Sequence, residues 1–514
     1  MRTSTWLSGR RTAPILVVCL LVWGVAPPPA AAQCESAKLL AFDGAATDFF
    51  GFSVSISGDF AVVGAYNEGN TGPLNFDGPG SAYIFRFDGL SWVQEAKLTA
   101  SDGAANDNFG WSVSISGDVA VIGARDDDAN GIFSGSAYVF EKPVGGWVDM
   151  TETAKLVASD GAVQDLFGNS VSISGEVIVV GAIGDDDVCP GKPVCNSGSA
   201  YVFEKPVGGW VSMTQTAKLL ASDGAAGDRF GFSVSISGEV AVVGAPIGDG
   251  NVADSGSAYV FEKPVGGWVD MTRTAKLTAS DGAVSHQFGI SVSISGDVAV
   301  IGARFDDDNG SLSGSGYVFV KPPSGWVNMT QTAKLTASDG AADDQFGNSV
   351  SISGDVVVVG ANQLLSGGPG SAYVFEKPPG GWVTMTETAK LTASDGAAND
   401  QFGLSVSISG DVITVGAIGD DDNGEDSGSM YVYLLSGVDC NRNGQPDACD
   451  IFLGVSCDSN ANLIPDDCEL GARGADITGP GGVPDGCVDA FDLGALLAAW
   501  CSVAGGNPCG TCGP

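Results

Sequence analysis

Between residues 346 and 361 polar and apolar positions first alternate and then merge. Val350 and Ile352 fall on one face, and Ser349, Ser351 and Ser353 on the other, a period of two that marks a strand. Ser353-Gly354-Asp355 reads as a tight hairpin turn. Val356 to Gly360 is apolar on both faces, as a strand covered from both sides must be. Close copies begin at Phe50, Phe109, Phe167, Phe230, Phe288 and Phe402. Seven copies at a spacing of roughly 58 residues predict a propeller or another repeat array.

One unit, residues 326–377, divides into four strands. Ala333-Lys334-Leu335 lies in one, Phe346 to Ser353 in the next, Val356 to Gly360 in the third, and Gly370 to Phe375 in the last. Four strands per repeat with abundant glycine favour a seven-bladed propeller over an open β-solenoid. The termini decide between them. An Ala-Lys-Leu strand surrounds Lys38, Lys97, Lys155, Lys218, Lys276, Lys334 and Lys390, but none follows Tyr431-Val432-Tyr433. The last repeat therefore lacks an outer strand and the N-terminus has one to spare. Pairing 36–42 with 430–435 closes the ring and removes both free edges. Closure of this kind brings Cys34 towards Cys440, where a disulfide is one of several pairings open to the tail.

The Phe-Gly…Val-Gly-Ala pattern over residues 36–437 resembles the FG-GAP repeat of integrin alpha subunits, which implies an all-β fold, a seven-bladed propeller. The resemblance also implies calcium loops between the first two strands of a repeat. Here that connection is only Ser-Gly-Asp or Ser-Gly-Glu, as at Ser237-Gly238-Glu239, so integrin-like metal binding does not carry over.

The formal net charge is −38, and about −41 without Arg2, Arg10 and Arg11. Such a chain repels phosphate backbones, which excludes nucleic acid as an expected partner. Cations and basic partners are favoured. The loops before Phe-Gly and after Gly-Ala are expected on one face. The former carry Asp102/Asp107, Asp223/Asp228, Asp339/Asp344 and Asp395/Asp400, and read as capped turns. The latter carry Asp126-Asp127-Asp128, Asp185-Asp186-Asp187, Asp306-Asp307-Asp308 and Asp420-Asp421-Asp422. For these, calcium coordination and plain solvation remain equally open.

Enzyme readings find little support. His286 is the only histidine, which rules out multi-histidine metal centres, and it reads as a surface variant of the repeat. No Gly-x-Ser-x-Gly elbow is present. Carboxylates are abundant, yet they repeat almost identically, whereas catalysis breaks repeat symmetry at a few positions. The residue after Phe-Gly does vary: Phe52, Trp111, Asn169, Phe232, Ile290, Asn348 and Leu404. Variation on a rigid scaffold is how binding surfaces are made.

Residues 1–32 read as a secretory signal, with Arg10-Arg11, an apolar stretch from Ile15 to Val25 and a small-residue site at Ala30-Ala31-Ala32. The residues after the arginine pair fit the twin-arginine route poorly, and Gln33 before Cys34 argues against a lipoprotein. No other apolar run is long enough to span a bilayer. Of the twelve cysteines Cys19 leaves with the signal, and eight crowd between Cys440 and Cys512, which predicts disulfides in an exported chain. Cys189 and Cys195 bracket one loop that they can staple.

The propeller is expected over 33–437, followed by a small disulfide-rich, calcium-loop C-terminal module. In 438–470, Asp439, Asn441, Asn443, Gln445, Asp447 and Asp450 have the oxygen-ligand spacing of a calcium loop, with Gly444 at the turn. Asp458, Asn460, Asn462, Asp466 and Glu469 repeat it, with Leu463 in place of the glycine. The pair resembles thrombospondin type 3 repeats. In 471–514, the run from Val488 to Trp500 resembles half of a dockerin, a calcium loop leading into a helix. That resemblance assigns Asp485, Asp489 and Asp492 as ligands. Cys509 and Cys512 close the chain as a disulfide or a loose end.

The expected function is an exported, non-enzymatic binding or adhesion propeller, secreted or on the cell surface. Its protein or glycan ligand is expected on the loop-rich acidic face, with the calcium-stabilised tail used for attachment. Two alternatives stand beside it: a secreted polysaccharide-associated protein or enzyme attached through a dockerin-like module, and a purely structural surface protein.

Overall fold

The computed structural model describes residues 34–72, 75–186 and 195–435. Seven antiparallel sheets follow one another along the chain. In each, a strand such as Phe346–Ser353 pairs with Val356–Ala361 and then Ser371–Glu376, and the outer strand Ala389–Leu391 completes the order. The outer strand comes from the next Ala-Lys-Leu copy in the chain, so every repeat begins in the blade before it. The seventh blade takes its outer strand from the N-terminus: Cys34–Leu39 pairs antiparallel with Ser429–Leu434, Lys38 opposite Tyr431. The predicted closure is therefore observed. Among the described residues there is no helix, and none long and apolar enough to cross a membrane.

The two glycines of the motif are seam residues. Gly110 has φ +93°, and a Cβ on it would lie 2.4 Å from the Ser81 carbonyl of the preceding blade. A Cβ on Gly64 would lie 2.0 Å from the Gly110 carbonyl. Only glycine lets neighbouring inner strands approach this closely. The phenylalanine fills the wedge between blades: Phe109 meets Tyr138 edge to face at 5.4 Å and Phe140 at 6.0 Å, within a cluster holding Val62, Ile84 and Leu98 of the previous blade. Such ring pairs add about 0.5–1.5 kcal/mol each beyond burial.

The alternating serines complete the seam. Ser112 Oγ donates to Gly168 O at 2.8 Å, Ser114 Oγ accepts from Ile173 N at 3.1 Å, and Ser116 Oγ accepts from Gly175 N at 3.2 Å. Equivalent bonds join all seven neighbours, including Ser405 to Gly51, Ser407 to Ile56 and Ser409 to Gly58 across the closure. A polar strand face is thus satisfied by the neighbouring blade.

The four-strand division of the repeat is incomplete. Five blades carry a fifth, two-residue strand, such as Met150–Thr151, supplied by the connection of the following blade and parallel to their own outer strand. It is part of the crossing connection anchored by buried Trp147, and Asp149 accepts from Lys97 N at 2.8 Å. Two residues are too few to show a strand period. Among the described residues the sixth blade lacks this cover, and no tryptophan-to-methionine stretch precedes the N-terminal strand in the sequence. The seventh lacks it because the first blade turns directly from Phe87 to Trp92.

Candidate functional site

The loop before Phe-Gly meets the loop after the preceding Gly-Ala, as Gln164 N donating to Ile132 O shows, so both lie on one face. The acids there have partners. In the fifth blade Lys334 Nζ lies 2.7 Å from Asp281, 3.0 Å from Asp306 and 2.5 Å from Asp308, and 5.1 Å from the centre of the Tyr317 ring. The Tyr317 hydroxyl donates to Asp281 and Asp306. Burial opposes the Lys334 charge, but the hydrogen bonds and fields of the three carboxylates outweigh it and hold the ammonium above its ordinary range.

The same seat recurs around the ring. Lys38 holds Asp395, Asp420 and Asp422; Lys97 holds Asp43 and Glu68; Lys155 holds Asp102 and Asp127; Lys218 holds Asp160 and Asp185. Lys276 takes Asp223 and the Asp249 carbonyl, and Lys390 takes Asp339. All seven ammonium groups lie 4.9–5.4 Å from a tyrosine ring centre.

In the fifth blade the acids of the triple-Asp loop share one of the chain's own cations. Asp281, Asp306 and Asp308 have the proximity of a cation site, but the cation among them is the chain's own lysine. One acid of each loop caps it: Asp307 accepts from Leu312 N, Asp421 from Asp426 N and, in 126–128, the last acid Asp128 from Phe133 N. Of the Ser-Asp-Gly pairs, only the second acid is a turn cap. Asp107 accepts from Ala104 N and Asp165 from Ala162 N, while the first acid reaches the lysine and, in most blades, the tyrosine.

Burial pushes the capping carboxyls up, Asp48 and Asp107 to about 6 and Asp165 to about 7. His286 replaces this cap and is not a surface variant. Its imidazole is 13% exposed and turns inward, Nδ1 standing 3.1 Å from Asp306. With no carboxylate to cap the turn, the ring packs against the lysine seat instead.

The mouth of the central channel is different. The seven variable residues after Phe-Gly line one cavity of about 220 Å³. Behind each stands another variable residue, before the phenylalanine: Phe49, Asn108, Leu166, Arg229, Gln287, Gln345 and Gln401. All seven are left-handed, with φ between 56° and 59°. Non-glycine residues hold this conformation at a cost of about 1–3 kcal/mol. The backbone of the mouth is thus conserved around the ring while its side chains are not.

One sector is aromatic. Phe76 stacks on Phe49 at 5.8 Å, Phe49 on Tyr66 at 5.3 Å, and Phe52 lies 4.7 Å from Tyr66 and 4.5 Å from Trp111. Phe76 is 62% exposed at the outer end of this row. Arg125 lies over Trp111, its Cζ 3.4 Å from the ring centre, with Nε 3.4 Å from Asp126. Across the ring, Arg304 donates from Nε to Gln287 Oε1 at 2.7 Å and from Nη1 to Asn348 Oδ1 at 3.2 Å.

Sequence reading singled out the residues after Phe-Gly but missed those before it and those after Gly-Ala. The signal is in the repeat columns: Tyr66, Arg125, Ile183, Pro246, Arg304, Asn362 and Ile418 share one position.

The FG-GAP repeat model matches residues 34–85, 92–140, 150–203, 213–261, 271–319, 329–375 and 385–433, more than half of the chain. The chain belongs to the FG-GAP repeat family. No curated protein matches this FG-GAP chain. Among solved structures, the WD40 β-propeller domain of Doa1 is similar at 10% identity, over 78% of this chain and 97% of that one, with a TM-score of 0.42. A likeness at that level carries no argument.

Cys195 is buried and disulfide-bonded. Cys189, the signal segment 1–32, the proposed Cys34–Cys440 bridge's partner Cys440 and every calcium-loop residue from Asp439 to Asp492 lie outside the described residues.

Proposed function

We propose that this FG-GAP protein is an exported, non-enzymatic binding propeller, secreted or held at the cell surface, which takes its protein or glycan ligand at the channel mouth. One observation carries the reading. The seams and lysine seats repeat around the ring, whereas the residues facing the mouth differ from blade to blade. A purely structural ring has no use for that difference, and a ligand without sevenfold symmetry requires it. The ligand-like spacing of oxygens from Asp439 onward supports a calcium-stabilised attachment role for the C-terminal residues.

The test is a protein and glycan array screened with the full chain and with a Phe52→Ala/Trp111→Ala double variant. The expected result is one ligand class whose binding the double variant loses while its melting stays cooperative. Unchanged binding in the double variant overturns the mouth as the site. Release of reducing sugar from any bound glycan overturns the non-enzymatic reading.

A further inference from the structure

Among the described residues, the cations of this acidic chain almost all have carboxylate partners. Each outer-strand lysine has one to three, and Lys142, Lys205, Lys263, Lys321 and Lys377 pair with Asp118, Glu141, Glu204, Glu262 and Asp355. Arg86, Arg125 and Arg273 are paired with Glu95, Asp126 and Asp223. Two cations have no carboxylate within ion-pair distance among the described residues, Arg229 and Arg304; Arg229 lies three residues before Phe232 and Arg304 bonds Asn348, both of which line the channel cavity. Arg229 is exposed and precedes Phe230, in the blade next to that of Arg304.

Arg304 is the more telling of the two. It is partly buried, and its described hydrogen bonds go to two neutral amides, on Gln287 and Asn348. Burial pulls its affinity for the proton down, with no carboxylate to offset it. A guanidinium stays charged regardless and carries five N–H donors in a planar fork. The acidity of the chain as a whole does not compensate, because fields beyond about 8 Å are screened at physiological ionic strength. A partly desolvated cation without a counterion costs stability unless something supplies the anion.

The amides fix the guanidinium: Gln287 holds Nε and Asn348 one Nη1 hydrogen, leaving donors on the other side of the fork. Asn348 lines the same cavity as Phe52 and Trp111. A ligand in that cavity meets the Phe52 and Trp111 rings and Asn348, behind which the guanidinium stands one hydrogen bond away. We propose that the channel mouth binds an acidic polysaccharide built of uronic acid units, its carboxylate paired with Arg304 and a sugar ring against the Phe52–Trp111 wall. This rests on the mouth being the ligand site. The rings favour a sugar over an acidic peptide: pyranose faces stack on aromatic rings, while a poly-acidic peptide presents no matching apolar face.

The test is calorimetric titration of the full chain with three probes: an oligogalacturonate, its fully methyl-esterified form, and a poly-glutamate of equal charge. The oligogalacturonate is expected to bind at least tenfold more tightly than the other two. Arg304→Gln is expected to remove at least tenfold of that affinity without lowering the melting temperature, and Arg86→Gln, on the third strand of the first blade, to leave it unchanged.

Equal affinity for the acid and its ester, or full retention in Arg304→Gln, overturns carboxylate recognition. If that equal binding is still lost in Trp111→Ala, the mouth stands as the ligand site and only this inference falls. Equal binding of poly-glutamate overturns the sugar assignment. Binding of every probe unchanged by both Arg304→Gln and Trp111→Ala removes the mouth itself.

Discussion

Lys334 and Arg304 belong to the same blade and face opposite electrostatic situations. Lys334 sits among three carboxylates and a tyrosine ring, an arrangement repeated with small variations in all seven blades. Arg304 has two amides, the centre of the Phe305 ring 4.7 Å from its Cζ and, among the described residues, no acid, at a position where the other blades place tyrosine, arginine, isoleucine, proline or asparagine. The first situation is complete within the chain. The second is not. The contrast separates residues that hold the ring from residues left over to meet something else.

The sharpest way to break this contrast is to remove the tethered cation. Lys334→Ala leaves Asp281, Asp306 and Asp308 facing one another without a charge between them. Removing one partner of a buried ion pair typically costs about 3–5 kcal/mol. A clear drop in the melting temperature of the full chain is expected. Calcium is expected to recover part of it, because the vacated oxygens offer a divalent ion the ligands it prefers. Any calcium effect on the parent chain is subtracted with the chelator control. A variant as stable as the parent would mean that the lysine seats do not hold the blades.

Next in size is a pH effect with a definite sign. The Asp165 carboxyl stands at about 7 when folded, against an ordinary value near 4, because burial disfavours its charge. A raised carboxyl makes the folded state bind more protons than the unfolded one between those values. Its contribution is therefore full at low pH and is lost as pH rises from about 4 to 7. Asp306, Asp339 and Asp395 act oppositely. Lysine and tyrosine partners hold them below the ordinary range, so their contribution is present above about 4 and is lost as pH falls further. Asp165→Asn keeps an acceptor for Ala162 N and removes the titration. Melting at pH 8 is expected to rise relative to the parent, and at pH 4 to change little. An equal shift at both values would show that the group does not titrate in this window.

A smaller loss is expected at the seam. Ser114→Ala removes the acceptor for Ile173 N, leaving a part-buried donor whose cost is about 1–3 kcal/mol if water does not reach it. Six equivalent bonds remain in that ring of hydrogen bonds, so denaturant unfolding should shift its midpoint and keep its slope. A changed slope would mean that the ring had opened rather than weakened.

Much of the fold was readable from residues. The displaced Ala-Lys-Leu copies predicted that the N-terminal strand closes the ring, and Lys38 does stand opposite Tyr431. The serine alternation predicted a strand, but not that its polar face would be consumed by the next blade. That requires knowing how near the neighbour comes, which the seam glycines set. The Met150–Thr151 type of strand was hidden by its length. The lysine seats were hidden by distance: Lys334 and Asp281 are 53 residues apart and meet only when the outer strand joins its blade. The excess of acid was plain in the composition, whereas its neutralisation by lysine is a property of the assembled sheets. The candidate site was half legible. One column of variable residues was visible after Phe-Gly. The adjoining columns carry the arginines, and they become a single surface only once the inner strands ring the channel.

The smallest predicted effect on stability is the one that sharpens the comparison most. Arg304→Gln removes a cation that no acid opposes, and glutamine retains a donor for Asn348 Oδ1. The desolvation cost of the guanidinium disappears and no carboxylate is left unpaired, so the change should stay within about 0.5 kcal/mol or slightly stabilise the ring. Lys334→Gln, with the same replacement on the seat of the same blade, should follow Lys334→Ala in its loss. Thermal melting of the two glutamine variants side by side reads the difference directly. If Arg304→Gln unfolds as readily as Lys334→Gln, the mouth arginine is a structural cation like the rest, and an unpaired charge is no longer an argument for a ligand there.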